Sequence, residues 1–401
     1  MKLLYIHQYF TFPENSGGTR SYDLSKEFVK RGIKVVIITS SASLNNISFT
    51  KRWTYLEREG IKIWVLKSTY NHNMSIPRRI FSFLSFLFFS SFKVLKVKAD
   101  LVLATSTPLT IAIPAIWNKL VKRTPYIFEV RDVWPEGPIQ QGYVTNKLLI
   151  KVLRWFERFV YNQSAYVVAL STGMKRDILS RVVLKNIEVI PNISEIKRFK
   201  DLSKKVDINI DLSDKKVVLY AGTLGPVNDI MYVAKLALKL IKVESKIIFL
   251  IVGDGRQKDM ILNFCKENNI INKNIYFLDP VNKEQLPYLY SKVIMGSSFV
   301  WDYKIKWDNS ANKFFDTLAA GSPILINYQG WQAEVIRKNN CGYVLPYYFN
   351  DADVNAFAQY LMDDNKIIEQ GKNAAIVAED YSLDVAVDKY IGIFKKIKLY
   401  A

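Results

Sequence analysis

DNSANKFFDTLAAGSP, residues 308–323, lies between two apolar runs, KVIMGSSFV before it and PILIN after it, and this arrangement decides the fold. A strand, a helix and a second strand at such short spacing make a βαβ unit, whose strands run parallel. Asn309 or Ser310 can cap a helix that buries Phe314, Phe315, Leu318 and Ala319 and stops at Gly321. The helix N-terminus then points at the carboxyl ends of the strands. In open α/β sheets that edge binds phosphorylated ligands, drawn by free N–H groups and the positive end of the helix dipole. Asp308 and Asp316 stand on either side of Lys313. A cation serves phosphate, and carboxylates serve sugar hydroxyls.

The same alternation extends through the whole chain. LLYI, KVVIIT, IKIWVL, DLVLAT, YIFEV, YVVAL and IEVI recur through the first half, with helical patterns such as TRSYDLSKEFVKRG between several of them. A second series follows: VVLYAGTLG, IIFLIVGDG, IYFLDP, VIMGSSFV and PILINY. The polar segment ISEIKRFKDLSKKVDINIDLSDKK separates the two series and reads as a linker. A chain of 401 residues, 49% of them apolar, fills two cores of about 180 residues each. The expected domains are residues 1–195 and 215–381, with a final helix over 382–401. No period of 20 to 50 residues recurs, which excludes a solenoid.

Cys265 and Cys341 stand at no metal-like spacing and imply no disulfide framework. His7 and His72 are the only histidines, too few for a multi-histidine metal site. The acidic pair Asp351 and Asp353 has the spacing of a metal-binding D-x-D, and it equally suits a helix cap with an acidic first turn. MKLLYIHQYF is too short for a signal-peptide core and reads as the first buried strand.

A formal charge of +19 implies an acidic partner. The cations are scattered rather than gathered into a nucleic-acid motif, so an anionic membrane surface is the expected one. RRIFSFLSFLFFSSFKVLKVK, residues 78 to 98, carries Arg78 and Arg79 before a run rich in phenylalanine and lysines after it. The run falls short of the about 20 apolar residues a bilayer span requires. It suits either a helix docked on the membrane through Phe86 and Phe89, or a helix buried in the core.

With HQYF, GGTRSYDL, FEVRDVWPE, NKFFDTLAAG and GWQAEVI on the page, the chain resembles glycosyltransferase family 4. More narrowly it is similar to the N-acetyl-L-fucosaminyltransferase-like enzymes of bacterial O-antigen and capsule assembly. The resemblance implies the GT-B fold: two doubly wound Rossmann-like domains facing across a cleft, the last helix crossing back to the first. It implies a retaining, metal-independent transfer from a UDP-sugar to a polyprenyl-diphosphate-linked sugar, without a cofactor, at the cytoplasmic face of the membrane. Two other readings stay open: a UDP-sugar epimerase of the same fold, and a non-catalytic scaffold docked on the membrane.

The family's acidic pair maps onto Asp308, toward the donor sugar, and Asp316, toward the ribose. In FEVRDVWPE, Arg131 holds the place of a family histidine and Asp132 that of its aspartate, so Arg131, Asp132 and Asp308 form the expected catalytic set. Arginine carries no proton at ordinary pH, so phosphate or acceptor pyrophosphate is its expected ligand, while Asp132 orients a hydroxyl or takes its proton. The expected donor site joins Gly17, Gly18, Arg20, Gly222, Thr223, Gly253, Arg256, Asn312, Lys313 and Asp316. One departure is plain. Where many family members carry an arginine and a lysine that clamp the diphosphate, this chain has Thr223 and Asn228. Arg20, Arg256 and Lys313 are the candidates to replace them.

Overall fold

The computed structural model describes residues 1–44, 46–68 and 76–399, side chains excepted at 76, 77, 79, 80 and 399. The chain forms two compact units, Met1–Asn15, Thr19–Pro191 and Leu383–Ala401 in one, Ser16–Gly18 and Asn192–Ser382 in the other. The first contains β1 (Lys2–Ile6), α1 (Arg20–Lys30), β2 (Lys34–Ser40), β3 (Trp53–Arg58), β4 (Ile61–Leu66), α2 (Ile76–Lys96) and β5 (Leu101–Thr105). It continues with α3 (Ala112–Lys122), β6 (Tyr126–Val130), α4 (Glu136–Gln140), α5 (Lys147–Gln163), β7 (Tyr166–Ala169), α6 (Thr172–Arg181) and β8 (Ile187–Val189). The second opens with α7 (Ile196–Phe199), β9 (Lys216–Ala221), α8 (Ile230–Leu240), β10 (Ile247–Val252), α9 (Lys258–Glu267), β11 (Ile275–Leu278) and α10 (Leu286–Tyr290). There follow β12 (Met295–Ser298), α11 (Lys304–Trp307), α12 (Asn312–Ala319), β13 (Ile324–Ile326), α13 (Trp331–Asn339), β14 (Gly342–Val344), α14 (Asp351–Met362) and α15 (Asp364–Asp380). The last helix, α16 (Leu383–Leu399), belongs to the first unit.

The first sheet has the order β3-β4-β2-β1-β5-β6-β7-β8, parallel except for β3 against β4. The second, β11-β10-β9-β12-β13-β14, is parallel throughout. Strand order reverses between β1 and β5 in one sheet and between β9 and β12 in the other. Helices diverge at these switch points and leave a crevice at the carboxyl edge, where such folds bind ligands.

Apolar strands demand cover on both faces, and β9 and β10 show how it is met. Val218, Tyr220, Ile247, Phe249 and Ile251 enter one core layer, while Val217, Leu219, Ile248, Leu250 and Val252 enter the other. The expected linker is no free connection. Val206, Ile208, Ile210 and Leu212 alternate along it and pack against the second of those layers. Their period of two was legible in VDINIDL but was masked by the surrounding charge.

In the first unit α16 lies against α1. Phe28 meets Tyr390 at 5.8 Å and Phe394 at 5.4 Å, and Arg31 pairs with Asp388 at 2.9 Å and Asp384 at 3.3 Å. The helix α2 buries one face and leaves the other exposed. Phe86, Leu87 and Val94 are buried, whereas Phe81, Leu84, Phe88 and Phe92 are exposed. Phe86 is therefore a core residue and not a membrane contact. Phe89 is half-buried, with the Arg52 guanidinium 4.7 Å from its ring centre. Arg78 is exposed; the side chain of Arg79 lies outside the described residues.

Candidate functional site

Each switch point gathers a cluster of polar side chains. In the second unit the cluster is built from the β9 loop, the segment after β11 and the start of α12. The helix α12 begins at Asn312, with Ala311 at its N-cap and no side-chain cap. Neither expected cap takes that place: Ser310 Oγ accepts from the backbone N–H of Asn192 at 3.0 Å, and Asn309 Oδ1 accepts from that of Ala311 at 3.1 Å. Gly296 lets the helix approach the sheet, since a Cβ there would lie 2.3 Å from Thr317 Oγ1.

Lys313, in the first turn of α12, reaches to the end of β9. Its Nζ lies 5.0 Å from the Tyr220 ring centre and donates to Asn228 Oδ1 at 3.3 Å. Gly222 makes the room: a Cβ on it would sit 2.4 Å from Lys313 Cε. Burial pushes the Lys313 ammonium down to about 8, with Asp316 opposing that shift and Lys283 reinforcing it. The loop is braced from within, because the carbonyl of Thr223 accepts from Tyr220 Oη and from Asn228 Nδ2, each at 2.9 Å. A cation thus stands at the β9 loop even though the loop itself supplies none.

Asp316, one turn further along α12, is buried and paired. Lys283, from the segment after β11, donates to Asp316 Oδ1 at 2.6 Å and also to Oδ2. Both side chains are more than nine-tenths buried. Sequence reasoning missed Lys283, whose only signal was a lone charge just past the carboxyl end of a strand. Asp308 is half-buried at the end of α11, Asn312 is half-buried at the start of α12, and Thr223 and Arg256 are exposed.

Gly253 is required by packing. At φ +152° it packs backbone on backbone, and a Cβ would lie 1.9 Å from the Gly222 carbonyl oxygen. Gly255, at φ +158°, does the same against Leu224. The bond from Leu224 N–H to the Asp254 carbonyl, 2.9 Å, seals the contact between the loops.

In the first unit, the ends of β1, β5 and β6 converge. Thr107 Oγ1 donates to Asp132 Oδ2 at 2.9 Å, and Ser106 Oγ accepts from the Arg131 N–H at 2.9 Å. Arg131 Nη1 lies 3.4 Å from His7 Nε2, and His7 Nδ1 lies 2.8 Å from Ser21 Oγ. Arginine can only donate, so Nε2 accepts and Nδ1–H faces Ser21. Burial first, then the Arg131 charge, push the His7 imidazole down to about 3, which keeps it neutral. At this edge Asp132 is exposed and Arg131 half-buried. Gly17, at φ +116°, turns the loop between β1 and α1, and Gly18 follows it.

Arg20 is the clearest correction. It is 3% exposed. It donates to Glu129 Oε2 at 3.1 Å, to the Ile190 carbonyl at 3.0 Å, to the Pro191 carbonyl and to Tyr390 Oη. Every face of the fork is committed to tying β6, the end of β8 and α16 together, so no donor phosphate is served by it. Glu129, from the same segment as Arg131 and Asp132, is buried beneath them. Burial pushes its carboxyl up, yet Arg20, Arg131 and bonds from Thr105 and Tyr390 hold it below the usual range. Glu136 is likewise structural, in a forked pair with Arg154 at 2.7 and 3.1 Å.

Asn350 caps α14 in a capping box with Asp353, and Asp351 pairs with Lys239, which accounts for the D-x-D. Among the described residues no cluster of histidine, cysteine and carboxylates could hold a metal. His72 lies outside the described residues.

Two switch-point crevices, one lined by a buried lysine and a carboxylate, suit a sugar linked to a phosphate. The chain matches the glycosyl transferase 4-like domain over residues 17–193 and the glycosyl transferases group 1 domain over residues 203–376. It belongs to this family of glycosyltransferases, and its fold is GT-B. HepE of Anabaena, solved in complex with UDP and glucose, superimposes with a TM-score of 0.72 at 13% identity, covering 99% of this chain and 100% of that one. Sucrose-phosphate synthase from Thermosynechococcus elongatus gives 0.74 at 14% identity and 100% of both chains. The alpha-D-kanosaminyltransferase of Streptomyces kanamyceticus is 22% identical over 257 residues, 62% of this chain and 64% of that protein, so the match spans less than two-thirds of that relative's length.

Proposed function

We propose that the protein is a retaining glycosyltransferase that moves a sugar from a UDP-linked donor to a polyprenyl-diphosphate-linked sugar during assembly of a bacterial capsule or O-antigen. The observation that carries this reading is the placement of Lys313 beside Gly222 and Asn228, one helical turn from Asp316, at the carboxyl edge of β9 and β12. HepE, which shares the fold, has been solved with UDP and with UDP-glucose. WaaG, another structure of the same fold (TM-score 0.67), is described as a glycosyltransferase involved in lipopolysaccharide biosynthesis.

In this reading the second unit holds the donor. Lys313 and the uncapped N–H groups of α12 carry the charge of the departing diphosphate, a task done here without a metal or cofactor. Asp316, with Lys283 as its counter-ion, accepts from the ribose, while Asp308 faces the donor sugar. The first unit serves the acceptor. Arg131 binds its pyrophosphate, and Asp132, held by Thr107, orients the attacking hydroxyl. The retained configuration follows from attack on the face the phosphate leaves, the leaving oxygen taking the proton. The donor sugar is N-acetylated, N-acetyl-fucosamine being the resemblance-based choice, and the protein works as a peripheral membrane protein on the cytoplasmic face.

The test is UDP release from a panel of UDP-linked N-acetyl sugars, with and without polyprenyl-diphosphate-linked acceptor, for the native chain and Asp132→Asn. Acceptor-dependent release, lowered at least about tenfold in the variant with UDP affinity unchanged, is the expected result. Conversion of the donor without acceptor would instead identify an epimerase. UDP binding with no turnover of any donor would identify a scaffold.

A further inference from the structure

An unusual amount of apolar surface is exposed on three neighbouring helices of the first unit. α2 packs beside α3, and α3 beside α5. On α2 the exposed side chains are Phe81, Leu84, Phe88 and Phe92, a stripe at i, i+3, i+7 and i+11. On α3 they are Ile113, Trp117, Leu120 and Val121, again one face. On α5 they are Leu148, Leu149, Val152, Trp155 and Phe159. Several are more than half exposed: Phe81 at 73%, Leu148 at 72%, Leu120 at 67% and Trp155 at 64%. Single exposed apolar residues are normal, but three adjacent stripes exceed what a monomer's surface ordinarily carries. By contrast, α1 and α16 expose no large apolar side chain among the described residues.

The charge on the same helices is one-sided. α2 carries Arg78, Arg79, Lys93 and Lys96 and no acid, and α3 carries Lys119 and Lys122 and no acid. On α5, Arg154 is taken up by Glu136, which leaves Lys147, Lys151 and Arg158; the helix's one acid, Glu157, is fully buried and paired with Arg181 at 2.8 Å. The outward surface of the three helices is therefore apolar and cationic together. No helix among the described residues is long and apolar enough to cross a membrane.

We infer that α2, α3 and α5 form one continuous platform that rests on an anionic bilayer, with the aromatic and aliphatic stripes in the headgroup region and the lysines and arginines on lipid phosphates. An apolar surface without cations would suit a second copy of the chain, and a cationic surface without apolar stripes would suit a soluble polyanion. A bilayer of acidic lipid offers both complements at once. The inference deepens the membrane-bound reading above and relocates it. The anchoring residues lie mainly on α3 and α5, and the expected anchor Phe86 takes no part.

The experiment is flotation of the purified full chain with phosphatidylcholine vesicles, with and without phosphatidylglycerol, at low and high salt. The test variant is Leu120→Ser, Leu148→Ser and Trp155→Ser combined, all exposed positions and none of them part of either polar cluster. The expected result is flotation with acidic vesicles that weakens in high salt, with the bound fraction of the variant lower by about tenfold or more while its melting temperature and UDP affinity stay unchanged. Equal flotation of variant and native chain would overturn the platform. So would a native dimer that fails to float and becomes monomeric in the variant, since the face would then belong to a second copy. If the native chain floats but binds no UDP, the donor reading fails and the platform stands.

Discussion

Lys313→Met is expected to make the protein more stable and worse at holding its donor. Burial pushes the Lys313 ammonium from 10.5 down to about 8, so carrying it charged at neutral pH costs the fold at most about 3 kcal/mol. A group whose folded pKa is depressed in this way, when its charged form is the protonated one, weighs on stability below pH 8 and is relieved as pH rises from about 8 to 10.5. Methionine has nearly the same volume and no charge to desolvate. Losing the bond to Asn228 and the contact with the Tyr220 ring returns part of the gain, about 1 kcal/mol or more. A net rise of 1–2 kcal/mol corresponds to about 2–8 °C in melting temperature for a unit of this size. The advantage should shrink as pH climbs toward 10.5. UDP should bind about 10- to 100-fold more weakly, the worth of a charge-assisted bond to phosphate. In the native chain UDP affinity should fall as pH rises past about 8, with proton uptake on binding. Thermal melting across pH and calorimetric titration with UDP read all of these. A variant that melts lower than the native chain at pH 7 and binds UDP equally well would refute the argument and make Lys313 a brace for the β9 loop.

Two further outcomes follow from the same site. Lys283→Met leaves the buried Asp316 carboxylate without its cation and should cost about 3–5 kcal/mol, the reverse of Lys313→Met; adding Asp316→Leu should recover most of that stability but not UDP binding, as thermal melting and titration would show. Gly253→Ala places a Cβ 1.9 Å from the Gly222 carbonyl oxygen at φ +152°, so it should lower the melting temperature and displace the loop that accommodates Lys313, weakening UDP binding measured by the same titration.

Much of the candidate site is legible in the sequence. DNSANKFFDTLAAGSP located α12 and named Lys313 and Asp316, and FEVRDVWPE named Arg131 and Asp132. What was misread were charges whose partners come from far along the chain. Arg20 looked available because nothing near it in sequence resembles a partner, yet Glu129, the Ile190 carbonyl and Tyr390 surround it. Lys283 went unnoticed for the complementary reason, its carboxylate being on another element. The helix caps failed similarly, because Asn192 recruits Ser310 from a distance.

By itself the sequence determined the two doubly wound units, since apolar strand runs and amphipathic helices are local periodicities that survive in a linear reading. It also pointed to the strand ends followed by glycine and charge as the place for a phosphorylated ligand. Tertiary structure alone decided which charges remain for a ligand and which are consumed by one another. It also decided which apolar stripes face solvent. α5 carries apolar residues on both of its faces, and only the position of the sheet beneath it leaves Leu148, Val152 and Trp155 outside. Pairing and exposure depend on contacts between residues from 33 to 370 positions apart, and no local pattern encodes them.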